Sequence, residues 1–207
     1  MIDLFGQLPV HMRQWVRHLI ALPDPNGGHA YNSNGNVALF DKIEGAITVF
    51  IHETGHSLDL LGAYYDKPLS ASNYWLTQYA LDSNVPDPYS ATNQVENVAQ
   101  NTVVGTFNEN IPGGFASVEK NSGKTFHQYA TLQTEADRAA PGNILKPGGK
   151  CTHRLENSAP VAQSGAPSSR IKGRDQSAGM PDVSLPGHLE VIAPVEFDTK
   201  EHCKHTW

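Results

Sequence analysis

Cysteine is almost missing from this 207-residue chain: there are two, Cys151 and Cys203. Neither belongs to a Cys-x-x-Cys pair, so no cysteine-built metal framework is written here. His153, His202 and His205 stand near them, so a structural metal is a further alternative, which their irregular spacing disfavours. A disulfide between the two would tie the tail back to the body and contribute on the order of 4 kcal/mol, which fits export to an oxidising compartment. Two buried thiols in a cytosolic protein are the alternative. Positive charge is also scarce, with 15 Lys and Arg against 21 Asp and Glu. The net charge of −6 and the pI near 5.9 give no reason to expect nucleic acid or an anionic membrane as partner. No apolar run reaches the length that spans a bilayer, and no charged start leads into a signal-type core. The chain reads as a mature or truncated form, or as one made without cleavable export. Asn-x-Ser/Thr sequons, internal repeats, a phosphate loop and a Gly-x-Ser-x-Gly nucleophile motif are all lacking. A secreted, soluble monomer is expected.

What is present is the stretch Phe50-Ile51-His52-Glu53-Thr54-Gly55-His56-Ser57-Leu58-Asp59. On a helix, His52 and His56 stand one turn apart on one face, so two ring nitrogens converge on one ion. Glu53 is rotated about 100° from His52, which suits it to hold a water in an open metal position rather than to ligate. This is the spacing of a hydrolytic zinc site. Ile43, Ile47, Ile51, Leu58 and Leu61 recur at helical spacing and predict an amphipathic helix with one buried side. Gly55 would let a neighbouring segment approach closely.

A third protein ligand must come from elsewhere. Asp59 shares the histidine face but sits further along, where it is expected to accept a hydrogen bond from a ring N–H. Patterns with the third ligand in the same motif need Gly at 59 and His or Asp at 62; the chain has Asp59 and Gly62. Glu96 is the better candidate. Thr92 or Asn93 can cap a helix, Val95, Val98, Ala99, Thr102 and Val103 give it an apolar side, and a first-turn carboxylate suits the helix dipole. Two histidines and this glutamate make a His₂Glu set with one position left for water.

The two motifs together, His52-Glu53-x-Gly55-His56-x-x-Asp59 and Tyr89-x-x-Thr92-Asn93-x-x-Glu96-x-x-Ala99, with Glu96 forty residues after His56, resemble the gluzincin metalloproteases of the anthrax lethal factor type. The resemblance implies zinc on His52, His56 and Glu96, Glu53 as general base, and Tyr89, seven residues before Glu96, as a helper that stabilises the reacting oxyanion. It covers roughly residues 43 to 105, and Gln94 and Asn97 depart from the family's acidic and aromatic preferences. In general character the chain is also similar to secreted fungal zincin-like proteins of the conidiation-specific type. The fold expected is α+β: a zincin-like domain over residues 1–140 with an active-site helix, a second ligand-bearing helix and a small sheet. A coil-rich extension over 141–207 packs on the same domain.

Several further elements are legible along the chain. Residues 8–22 read as an amphipathic helix, opened by Pro9 and stopped by Pro23. Residues 24–36 are mostly turn-formers, and Val37 to Phe40 reads as a short strand. That strand is expected to be the sheet edge beside the active helix, where an extended substrate could pair, with His29 and Tyr31 as substrate contacts or as part of a plain surface hairpin. A helix over Ser72 to Leu81 should bury Trp75 and Tyr79, although with Tyr64, Tyr65 and Tyr74 these rings could instead line a cleft. Pro86-Asp87-Pro88 stiffens the approach to Tyr89. Gly105 to Gly123 reads as loop, and Lys124 to Ala139 as a helix turning Phe126, Tyr129, Ala130 and Leu132 inward. Gly, Pro and Ser dominate beyond Pro141, predicting surface coil with a last strand-like piece at Leu189 to Val195.

The expected activity is zinc-dependent hydrolysis of a peptide or protein substrate. Two other readings are a zincin-like effector that binds zinc without cleaving, and hydrolysis of a non-peptide amide.

Overall fold

The computed structural model of the chain describes residues 1–23, 29–40, 47–64, 68–139 and 143–158, and the backbone of 190–191. Helices and a small three-stranded sheet make it an α+β protein. The chain opens with two short helices, α1 (Ile2–Gly6) and α2 (Val10–Arg13), the second starting after Pro9. Expected to continue as helix to residue 22, the chain instead turns at Trp15 and Val16 and enters strand β1 (His18–Leu22). The Arg17 N–H reaches the Gly35 carbonyl at 2.6 Å, which starts a parallel ladder with β3 (Asn36–Phe40). A run whose apolar residues suit either period was settled by a backbone partner distant in sequence.

Residues 29–33, expected to be turn, form strand β2, antiparallel to β3. Only Asn34 and Gly35 form the turn between them, both at positive φ (53° and 79°). That is the two-residue hairpin whose twist matches the flanking strands, and Asn-Gly is its strongest signal. Sheet order is β1-β3-β2. The predicted strand at 37–40 is therefore central, not an edge, and β1 and β2 are outer strands among the described residues.

Helix α3 (Ile47–Leu60) carries the His-Glu-x-x-His stretch. It packs between β2, α1, α2 and the long α5 (Gln94–Asn110). Every residue from Val49 to Asp59 is buried, so the helix is enclosed on all sides rather than one-sided as expected. Ile43 lies outside the described residues. Helix α4 (Asn73–Tyr79) is capped by Ser72, whose hydroxyl accepts the Trp75 N–H, and it buries Trp75 and Tyr79 in the core beside Tyr64. Core packing, not a cleft, is the role of these three rings; Tyr65 lies outside the described residues.

The segment expected to be loop after Gly105 is helix through Asn110, followed by two single 3-10 turns at Phe115–Ser117 and Ser122–Thr125. Helix α6 (Phe126–Ala139) then packs along α5 and α4. Tyr129 and Leu132 turn inward, whereas Phe126 is exposed and Ala130 half-buried. Asp82 caps α6 from a distance: Oδ1 accepts the His127 N–H and Oδ2 the Gln128 N–H. Beyond α6, Ile144 and Leu145 plug the core. Residues 152–156 then run back to the beginning of the chain, where the Thr152 N–H donates to Gln14 Oε1 and His153 stacks on Trp15. Arg17 holds the Glu156 carbonyl. Of the strand expected at 189–195, Glu190–Val191 form β5, parallel to β4 (Asn84–Val85); the rest lies outside the described residues. So does Cys203, which leaves the expected disulfide without a described partner for the exposed Cys151.

Candidate metal centre

Helix α3 delivers His52 and His56 one turn apart, and the first turn of α5 delivers Glu96. The register of α5 is set locally: Asn93 is extended and its side-chain oxygen accepts the Glu96 N–H at 2.9 Å, an N-cap as the sequence predicts. Three atoms from these residues converge. His52 Nε2 lies 3.1 Å from Glu96 Oε2 and 3.1 Å from His56 Nε2, and His56 Nε2 lies 3.4 Å from Glu96 Oε2. All three side chains are buried. In a tetrahedral zinc site with bonds of about 2.0–2.2 Å, neighbouring ligand atoms lie about 3.3–3.6 Å apart, close to the spacing here. Lone pairs this close need a hydrogen or a metal ion between them. The donor set and its spacing fit such an ion, and the group could hold one.

Sequence reasoning missed the contacts that orient His52. Its Nδ1 meets the Gln100 side-chain oxygen at 3.1 Å, and the Gln100 amide nitrogen donates to Asp87 Oδ2 at 2.5 Å. Gln100 stands one turn after Glu96 on the same face of α5, which is the signal that could have found it. Asp59 does not take the expected part: its Oδ1 accepts the Ser70 N–H at 2.8 Å, and its carboxyl acts on His56 only through space. Ser70 opens toward α3 from the 3-10 turn at Leu69–Ala71, and its backbone N–H, fixed and buried, wins the carboxylate.

Glu53 points into the same buried region, fully enclosed, and is not one of the three converging atoms. Burial pushes its carboxyl up to about 8; the neighbouring His52 works against this and Glu96 adds to it. For Glu96 burial pulls in the same direction, but His56 and His52 outweigh it through charge and hydrogen bonding and hold the carboxyl well below its ordinary range. The two carboxyls are thus driven apart, one basic and one firmly ionised.

Tyr89 comes from the turn between β4 and α5. That turn is set by Asp87 and Ser90: Asp87 Oδ1 accepts both the Ser90 N–H (2.7 Å) and its hydroxyl (2.9 Å), and the Asp87 N–H donates back to Ser90 Oγ (2.9 Å). The Tyr89 ring tilts against the His52 ring with centroids 5.6 Å apart. All five residues named from the sequence, His52, Glu53, His56, Tyr89 and Glu96, are therefore gathered in one place. His29 and Tyr31 are not. They alternate with Ala30 and Asn32 on β2 and flank Phe40 on the sheet face away from α3. It is Asn32, unremarked in the sequence, that reaches the helix, donating to the Glu53 carbonyl (2.6 Å) and to Ser57 Oγ (2.7 Å).

The two departures from the resemblance have found structural uses. Gln94 accepts the Trp75 indole N–H, and Asn97 donates to Gln128 on α6. Among the described residues no helix is long and apolar enough to cross a membrane. No family model and no solved structure matches the chain. Over 108 residues the chain is 31% identical to Conidiation-specific protein 13 of Neurospora crassa, a match that takes in 51% of this chain and 32% of that protein. This chain thus spans about a third of the length of a fungal conidiation-specific protein to which it is similar.

Proposed function

We propose that this chain is a secreted, gluzincin-like zinc endopeptidase acting on a peptide or protein substrate. The observation that carries the proposal is the convergence of His52, His56 and Glu96 beside a fourth buried group, Glu53, that is not part of the ligand set. A structural metal site has no use for a buried carboxyl of raised basicity at its side. A bound zinc ion would supply Lewis acidity toward a water and a substrate carbonyl. Glu53 would take the proton from that water at its carboxylate and pass it to the departing amine. Tyr89, with its ring braced on His52, would donate its hydroxyl hydrogen to the oxygen that gains negative charge. The outer strand β2, pinned to Glu53 through Asn32, offers an edge for an extended substrate in place of β3.

One observation favours a second reading, a zinc-binding effector without peptidase activity: His52 and His56 are only 3% and 5% exposed, which restricts access to the open metal position. Digestion of a mixed peptide library by zinc-loaded protein, with zinc-loaded Glu53→Gln as control, separates the two. Cleavage that disappears in the variant supports the peptidase. No cleavage by either protein, with one zinc per chain confirmed in both, supports the effector.

A further inference from the structure

His52 can offer Nε2 to a metal only in the tautomer that carries its hydrogen on Nδ1. In metal sites that choice is commonly made by a carboxylate or carbonyl accepting from the second nitrogen. Here the neighbour of Nδ1 is an amide, Gln100. An amide is ambiguous: one end accepts and the other donates, and a half-turn of the side chain exchanges them. Something else must decide which end faces the ring.

Asp87 decides it. Its Oδ2 lies 2.5 Å from the Gln100 amide nitrogen, and an ionised carboxylate accepts without donating. Gln100 must therefore turn its NH₂ toward Asp87 and its oxygen toward His52. The other oxygen, Oδ1, is taken by the Ser90 N–H and hydroxyl. The Ser90 N–H belongs to the backbone and cannot reverse, so position 87 needs an acceptor on both sides.

We propose that Asp87 and Gln100 are positioning residues that set the His52 tautomer for metal binding, with Asp87 fixing the polarity of the Gln100 amide and Gln100 handing it on to the ring. The proposal rests on the reading of His52, His56 and Glu96 as a zinc site. The turn that carries Tyr89 is closed by the same aspartate, so the orientation of a metal ligand and the placement of Tyr89 share one residue.

The relay makes an unusual demand on substitutions. In Asp87→Asn the single side-chain oxygen must stay with the Ser90 N–H, which leaves an NH₂ facing Gln100. The Gln100 amide then reverses, presents N–H to Nδ1, and forces the hydrogen onto Nε2, where it blocks the metal. In Gln100→Glu alone two carboxylates meet. With both substitutions together, the new amide at position 87 donates to the new carboxylate at position 100. That carboxylate accepts from this amide on one side and from the His52 ring on the other, which restores the original polarity.

The test is zinc affinity, measured by competition with a chromophoric chelator, on the unmutated chain, Asp87→Asn and the Asp87→Asn/Gln100→Glu pair, with thermal melts of the zinc-free proteins as a check on folding. Asp87→Asn should weaken zinc binding about 10–100-fold, and the pair should recover it. A contribution through packing alone predicts that the pair binds no better than the single variant, and that result overturns the relay. So does Asp87→Asn binding zinc as tightly as the unmutated chain. If Asp87→Asn does not fold, Gln100→Leu, which leaves the Asp87–Ser90 turn intact, carries the test: the same 10–100-fold loss is expected, and unchanged affinity overturns the relay. Failure of the unmutated chain to bind zinc overturns the zinc-site reading itself, and the relay with it.

Discussion

Gly55 on α3 lies directly against Thr102 on α5: a Cβ at position 55 would sit 3.1 Å from Thr102 Cβ, 3.1 Å from its Oγ1 and 3.1 Å from Ala99 Cα. The glycine between the two histidines thus sets how closely the two ligand-bearing helices approach. Gly55→Ala gains about 1 kcal/mol of helix propensity and loses about 1–3 kcal/mol to overpacking, so a small net destabilisation is expected. Gly55→Val, with two further carbons and a β-branch, should lose clearly more. Urea unfolding of the zinc-free variants checks the order. Zinc affinity should fall in the same order, because His52 and His56 move away from Glu96; unchanged affinity in a folded Gly55→Val would show that the helix spacing does not govern the site.

Tyr89→Phe should lower turnover of a cleaved peptide by about 10²–10³-fold, the usual effect of removing one donor to a developing oxyanion. The phenyl ring keeps the contact with His52, so zinc content should remain one per chain. Steady-state kinetics and metal analysis on the same sample check both halves. Loss of zinc would assign the tyrosine to the structure of the site instead.

Glu96→Gln preserves shape but removes the charge held between the two imidazoles. Zinc should be lost on dialysis, while Glu53→Gln should keep it. Equal retention by both would remove Glu96 from the ligand set.

Asp59 gives a pH dependence of known sign. Burial, opposed by the hydrogen bond from Ser70, raises its carboxyl from 3.8 to about 6. The folded state therefore holds this proton more tightly than the unfolded chain does. The stabilisation is fully present below about pH 4 and is lost as pH rises through about 6, roughly 3 kcal/mol for a shift of about two units. Asp59→Asn keeps an oxygen for the Ser70 N–H and does not titrate. Zinc-free Asp59→Asn should therefore overtake the unmutated chain above pH 6. A stability difference between the two that is the same at pH 4 and pH 7.5 would count against this account.

The site was more legible than the fold around it. His52, Glu53 and His56 follow from spacing on one helix, and Asn93 announces the cap that places Glu96. These depend on local geometry, which short sequence patterns encode directly. What was illegible depended on partners far along the chain. Residues 19–22 carry apolar side chains that suit a helix, and only the pairing with β3 makes them a strand. Gly105 reads as a break, yet it lies inside α5 because Leu145 packs against it, 3.3 Å from where a Cβ would be. The central place of β3 depends on β1 joining it from the other side. Gln100 escaped notice because an amide is no metal ligand by type, and Asp87 was read only as part of a stiff run before Tyr89; their part comes from two hydrogen bonds across α5 and the preceding turn.

The strap at residues 152–156 also has a consequence in time. Gln14 and Trp15 meet Thr152 and His153 across 138 residues of chain, and at about 5–20 residues per second that segment takes a ribosome roughly 7–28 s to make. Every residue of the candidate metal centre has been synthesised before then. The α3–α5 pair can come together while Gln14, Trp15 and Arg17 still wait for their partners in the strap, so a nascent chain stalled after α6 should already bind metal. The Trp15 indole would keep one face in water until the His153 ring arrives to stack on it.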